Sequence, residues 1–188
     1  LCRNSNVELL GIGRGDVLAD GELKFSVLSP GIGGHVNTIG MRSLGTNLDT
    51  TSNNASLVMY IKYKDFDMLT TGDVEDEGEK DILRSGILDE VISNDKSSDN
   101  KCIDVLKVAH HGSSGSSSLS FLSEIKPEIS LISVGARNQY GHPHEETLER
   151  LEAVGCEILR TDELGCIKFT VTPSGEVKKE GYKCSVGL

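Results

Sequence analysis

CIDVLKVAHHGSSGSSSLSFLSEIKPEISLISVG, residues 102–135, decides the fold class. CIDVLKVA has the apolar, β-branched run of a strand with little exposed surface, and EISLISVG is a second strand of the fully buried kind. SLSFLSEI between them predicts a short helix. A strand, a helix and a strand in that order belong to a layered α/β domain with a mixed sheet. The first strand runs directly into His110, His111 and a tract of Gly and Ser.

The pattern extends outward on both sides. C-terminally, RNQYGHP is a loop and HEETLERLEAVG a helix started by Pro143 and ended at Gly155. EILRT, CIKFTVT and EVKKEGYK follow as closing strands. On the N-terminal side, ASLVMYIKY, a KDFD turn and MLTTGD predict a hairpin. EDEGEKDILRSGILDEVI predicts one helix whose acidic first turn suits the positive end of its dipole, with Ile82, Leu83, Ile87 and Val91 at roughly helical spacing. SNDKSSDNK is a polar connection. Further back, LKFSVL reads as a strand, GRGDVLADGE as a turn region and VELLGI as a strand. Residues 31–54 carry no sustained period and read as a long loop, of the kind that is functional or disordered. No repeat and no linker divides the chain.

The 188 residues suit one domain rather than two. With no Trp, the core must rest on Leu, Ile and Val. Nothing approaches the roughly 20 consecutive apolar residues that cross a bilayer, and no signal peptide is visible. The net charge of −10 opposes broad electrostatic capture of nucleic acid. It leaves a phosphodiester substrate open, because bound divalent metals supply positive field locally. The five cysteines have no C-x-x-C spacing and predict mostly buried, reduced thiols rather than a zinc finger or disulfide framework.

Three polar clusters share one topological position, the loop after an apolar strand. They are Thr71-Gly72-Asp73, His110-His111-Gly112-Ser113, and Asn138-x-Tyr140-Gly141-His142-Pro143. Sites in layered α/β folds assemble at such strand ends. Asp73, His110, His111 and His142 are residue types that zinc or manganese accepts and form a partial metal shell. Each also has a plain reading: Asp73 as a helix N-cap, the His doublet as a loop bonded to backbone, His142 as a turn residue. His35 reads as solvated and His144 as decoration of a first helical turn. The Gly/Ser tract offers a flexible loop whose hydroxyls and amides hold an anion, or a cap for the next helix. A serine hydrolase is disfavoured, because no G-x-S-x-G elbow occurs.

Taken together, LTTGDVEDEGEKDIL, DVLKVAHHGSSGSS, ISVGARNQYGHP and LRTDELGCIKFTV resemble, in order and spacing, the metallo-β-lactamase-like domain of ComEC-type DNA-internalisation competence proteins. The likeness reaches back through NNASLVMYIKY and LKFSVLSP and covers roughly residues 16–172. It implies an αββα sandwich hydrolase with a binuclear metal site, present here as a single partial domain over residues 1–188. Asp73 then matches the carboxylate that bridges two divalent ions, zinc or manganese. His111 is the preferred histidine ligand, with His110 the alternative or a group facing a phosphate oxygen. His142 joins Asp73 and His110 as a reacting residue, and Ser113, Asn138, Tyr140 and His142 line the substrate. The implied chemistry is metal-assisted phosphodiester hydrolysis.

The sequence departs from the family at one place. His-x-His-x-Asp-His, which supplies most ligands from the N-terminal half, does not occur, and Ser29-Pro30 stands where His-Pro is common. The expectation is therefore the C-terminal portion of a longer enzyme, with little or no hydrolysis in isolation. Whether this chain alone binds metal is open. The implied parent is a bacterial membrane protein with this domain outside the cytoplasm, working with DNA and the competence machinery, while this chain itself is soluble. Exposed apolar sheet surface makes a homodimer of the isolated chain a further expectation. The rivals are a non-catalytic binding or scaffolding module on the same fold, and a phosphodiesterase acting on small molecules or phosphocholine.

Overall fold

A computed structural model describes residues 11–31, 53–93 and 103–182. Most of the expected VELLGI strand, His35, most of the 31–54 loop, most of the 93–101 connection, and Cys2, Cys102 and Cys184 lie outside them. The first half builds strands β1 (Val17–Asp20), β2 (Leu23–Ser29), β3 (Val58–Tyr63) and β4 (Phe66–Thr70), then helices α1 (Asp76–Ser85) and α2 (Ile87–Ser93). The second half alternates: β5 (Val105–Lys107), α3 (Leu119–Ile125), β6 (Ile129–Ile132), α4 (Glu145–Ala153), β7 (Glu157–Arg160) and α5 (Thr161–Leu164). A hairpin of β8 (Cys166–Val171) and β9 (Val177–Tyr182) closes it.

Strands β1 to β7 form one mixed sheet in sequence order, antiparallel from β1 to β4 and parallel from β4 to β7. The change of direction follows from connection length. Two-residue turns join β1 to β2 and β3 to β4, whereas parallel neighbours need crossovers, which the helices supply. The helices bury one face of the sheet. Leu28, Tyr60, Leu69, Leu106 and Ile132 meet Ile82, Leu88, Phe121, Leu122 and Leu151 in the core. Alternation sends the intervening residues to the other face, where Phe25, Ile61, Met68, Val105 and Ile129 align in one register row. Part of that row, Val105 and Ile129, shares a cleft with Phe169 and Val177 of the hairpin. The fold is thus a mixed α/β sheet with helices and a second, two-stranded sheet.

Four local expectations need correction. GRGDVLADGE is not all turn: turns lie at Arg14-Gly15 and Gly21-Glu22, and between them Val17–Asp20 pairs with β2 as an exposed edge strand. Residues 75–92 form two helices, because Gly86 adopts the left-handed conformation (φ 71°) and closes α1 through its N–H to the Leu83 carbonyl. The break resets the frame, so Leu88 and Ile92 are buried rather than Ile87 and Val91. The last long helix begins at Glu145 with His144 as its N-cap, not at Pro143. Cys166 is exposed, against the expectation of buried thiols, while Cys156 is half-buried.

Candidate functional site

Because β4, β5 and β6 are parallel neighbours, their carboxyl ends lie along one edge, and the three polar clusters are the loops that leave it. Thr71 Oγ1 donates to the Lys107 carbonyl at 2.6 Å, and the His110 amide donates to the Gly72 carbonyl at 3.0 Å, tying the first loop to the second. Gly72 sits at φ +56°, and a Cβ there would come within 3.0 Å of Ser56 Cβ. Glu75, two residues beyond Asp73, is the N-cap of α1. The helix-start reading of Asp73 therefore fails, and its half-exposed carboxylate is left at the strand ends.

His110 and His111 both have left-handed backbones (φ 46° and 56°) and precede Gly112 at φ +85°. Non-glycine residues occupy this region at a cost on the order of 1–3 kcal/mol each, when surrounding contacts over-determine them. Here the Ser113 amide bonds the His110 carbonyl and the His144 amide bonds the Gly112 carbonyl, both at 2.9 Å. The turn sends the two rings in different directions. His111 Nδ1 lies 2.6 Å from the Ser133 carbonyl. A carbonyl only accepts, so Nδ1 carries a proton, and the ring turns Nε2 toward Asp73, 3.7 Å from its Oδ1. His110 instead lies toward Glu75, with Nδ1 buried, without a hydrogen bond, and 3.5 Å from Glu75 Oε1.

His142 completes the group. Its ring stacks near-parallel to His111 at 6.4 Å and edge-on to His110 at 5.6 Å. Asn138 holds it: Oδ1 accepts the His142 and Tyr140 amides, and Nδ2 donates to the His142 and Gly135 carbonyls. Burial, and then the neighbouring His144, His110 and His111, push the His142 imidazole below its ordinary range, outweighing the pull of Asp73, so it is neutral at physiological pH. Tyr140 is 78% exposed and stacks on it. His111, Ser133, Gly135, Asn138, Tyr140 and His142 line a cleft of about 470 Å³.

The Gly/Ser tract is fixed rather than flexible. Every amide from Ser113 to Ser118 is engaged: in turn with the His110 carbonyl, His144 Nδ1, Ser113 Oγ, the Ser113 carbonyl, and twice with the Glu79 carboxylate. The amides therefore have nothing left for an anion, and the cap reading holds, since Ser118 caps α3. From α4, Thr147 donates to the Ser113 carbonyl, and Arg150 to the carbonyls of Ser114, Ser116 and Ser117. Among the described residues no Ser113 or Ser114 hydroxyl bonds an imidazole, so no serine–histidine pair forms.

Sequence reasoning missed Glu79, Arg150 and Lys107. The first two were hidden on ordinary amphipathic helices. Lys107 had a signal, a charge inside an apolar strand. Burial lowers its pKa while Asp73 pulls it upward, and its ammonium reaches only the Val108 carbonyl, at 3.4 Å, among the described residues.

The donor chemistry of Asp73 and His111 fits one side of a divalent cation, because a ligating imidazole usually donates its other N–H to a carbonyl or carboxylate. It does not fit a whole centre. Zinc in a catalytic site takes three protein ligands, and among the described residues no three His, Cys, Asp or Glu are grouped to hold an ion.

The fold and site define a mixed α/β domain with a histidine–carboxylate cluster at its parallel strand ends. The chain is 34% identical over 167 residues, 89% of its length, to ComE operon protein 3 of Bacillus subtilis (strain 168). It is 33% identical over 129 residues, 69% of its length, to competence protein ComA of Neisseria gonorrhoeae. A shorter stretch of 49 residues is 47% identical to recombination protein 2 of Haemophilus influenzae. Its homologues are thus competence proteins of the ComEC type. The chain spans under a fifth of their length, 18% and 17% of the first two. No family model matches it.

Proposed function

We propose that this chain is the C-terminal part of a metallo-β-lactamase-like phosphodiester hydrolase domain, which acts on DNA during uptake in a longer competence protein. The observation that carries the reading is the His111–Asp73 pair, with Nδ1 bound to Ser133 and Nε2 open beside the carboxylate. Two divalent metals, when bound in the longer protein, would stabilise charge on the transferring phosphate oxygens. Asp73 and His111 would contribute donors to one of them, with the remaining donors coming from outside the described residues. His142, held neutral against the same cleft, has a ring N–H for a phosphate oxygen or a lone pair for a proton. Tyr140 and Asn138 shape the cleft wall, and Ser113, on the loop that follows the histidine pair, would add its hydroxyl to the substrate contacts.

The apolar row Phe25–Ile61–Met68–Val105–Ile129 supports a sandwich whose second layer is larger than the β8–β9 hairpin. In the isolated chain the same face favours a homodimer, which light scattering across a concentration series tests. No helix among the described residues is long and apolar enough to cross a membrane. The membrane anchor and an extracytoplasmic location are assigned to the longer protein.

The deciding experiment compares a full-length relative with its Asp73→Asn and His111→Gln equivalents on single-stranded DNA and on bis-p-nitrophenyl phosphate. Metal-dependent cleavage lost in both variants supports the reading. DNA binding without cleavage in the unaltered protein favours the second reading, a binding module on the same fold.

A further inference from the structure

We infer that His144 is a positioning residue that locks the two histidine loops to each other and so holds His142 against His111. Both ring nitrogens are committed. Nδ1 accepts the Ser114 amide at 2.9 Å, so it bears no proton. Nε2 therefore carries the proton and donates it to the Tyr140 carbonyl at 3.2 Å. The first bond reaches the loop that carries His110 and His111, and the second reaches the loop that carries His142. The backbone repeats the connection, because the His144 amide donates to the Gly112 carbonyl.

The helix that His144 caps reinforces this bracket. His144, Thr147 and Arg150 follow at three-residue intervals, on one side of α4, and all three bond the Ser113–Ser117 segment. His144 alone among them also bonds the other loop, and its ring lies edge-on to His142 at 4.9 Å. Its tautomer is the opposite of that of His111, whose proton is on Nδ1. A plain N-cap role does not account for this, since the His144 side chain makes no capping bond to α4.

The importance of the lock for function rests on reading His111 and His142 as site residues, but the lock has its own readout. In the wild-type chain, ¹⁵N-detected imidazole spectra are expected to show His144 as the Nε2–H tautomer and His111 as the Nδ1–H tautomer. His144→Asn keeps an acceptor for Ser114 but loses the donor to the Tyr140 carbonyl, so it should disturb the His142 ring signal and leave that of His111 near its wild-type position. His144→Ser caps a helix equally well but is too short to reach, and should shift or broaden both. Unchanged ring signals in His144→Ser, equal disturbance by both variants, or an Nδ1–H tautomer at 144 would overturn the inference. Cadmium titration separates the two claims. Wild type that binds no cadmium means that Asp73 and His111 hold no cation without the remaining donors, and the spectra alone then decide the lock. If wild type binds, His144→Ser should weaken binding roughly tenfold, as loss of outer support does at metal sites.

Discussion

His111 Nε2 lies 3.7 Å from Asp73 Oδ1 while its other nitrogen is bonded to the Ser133 carbonyl, so the ring is oriented with Nε2 toward the carboxylate. His110, one residue earlier, has a buried Nδ1 with no hydrogen bond. Adjacent histidines thus have different environments, and their variants should behave differently. Replacing His111 or Asp73 by Ala should weaken cadmium binding at least about tenfold, whereas His110→Ala should change it much less. Isothermal titration of the three variants measures this, and equal losses for His110 and His111 would contradict it.

Gly112 sets how closely the two loops approach. Its φ is +85°, and a Cβ there would come 2.6 Å from Pro143 Cβ. Gly112→Ala therefore meets both backbone strain and a clash that the Pro143 ring cannot turn away from. The expected loss is about 1–3 kcal/mol in urea unfolding. Gly155→Ala, also at positive φ (+77°) but with open space around it, should cost less. A larger loss at Gly155 would mean that loop contact is not the main term.

Glu79 is fully buried, and burial pushes its carboxyl above the usual range, although the Ser118 and Ser117 bonds pull the other way; Asp76 adds to the rise. A carboxyl whose folded pKa is raised binds its proton more tightly when folded. Its stability contribution is complete below the unfolded value near 4.5 and is lost as pH rises through the higher folded value. Glu79→Gln should remove this dependence and also aim an amide N–H₂ at one of two backbone donors, costing about 1–3 kcal/mol. Chemical unfolding between pH 4.5 and 7 checks both effects. A Glu79→Gln curve parallel to wild type would reject the proton linkage.

The sequence revealed the fold class, because apolar runs such as Val105–Leu106 and Ile129–Ile132 alternate with helix patterns. It also revealed which loops share an edge, since Asp73, His110, His111 and His142 each follow a strand that the structure places in parallel order. What stayed hidden depends on three-dimensional approach. His144 looked like surface decoration because the partner that ties it to the other loop, Ser114, lies 30 residues away in sequence. Glu79 looked like one of several acidic helix residues until the Ser117 and Ser118 amides closed over it. The SSGSSS tract looked flexible by composition, and only its three-dimensional partners, Glu79 on its amides and Arg150 on its carbonyls among them, show otherwise. The break at Gly86 was missed because apolar spacing continues across it.

Lys107 connects the apolar face of the sheet with the histidine edge. It pairs in register with Thr70 and Leu131, on the side away from the helices, and its ammonium is half-buried with one weak acceptor among the described residues. Burial depresses its pKa, which for a base means that the folded state disfavours the charged form. Stability linked to it is present above the unfolded pKa and lost as pH falls through the depressed folded value, so charging the ammonium costs more in the folded chain than in the unfolded one. Lys107→Met should therefore raise stability, on the order of 1 kcal/mol, because a methionine of similar shape carries no charge to desolvate. The same change removes a positive charge whose field reaches Asp73, so cadmium should bind more tightly. If Lys107→Met instead lowered both stability and cadmium affinity, the ammonium would have to be a structural partner rather than an electrostatic opponent of the site. Thermal unfolding and calorimetry on the one variant distinguish these outcomes.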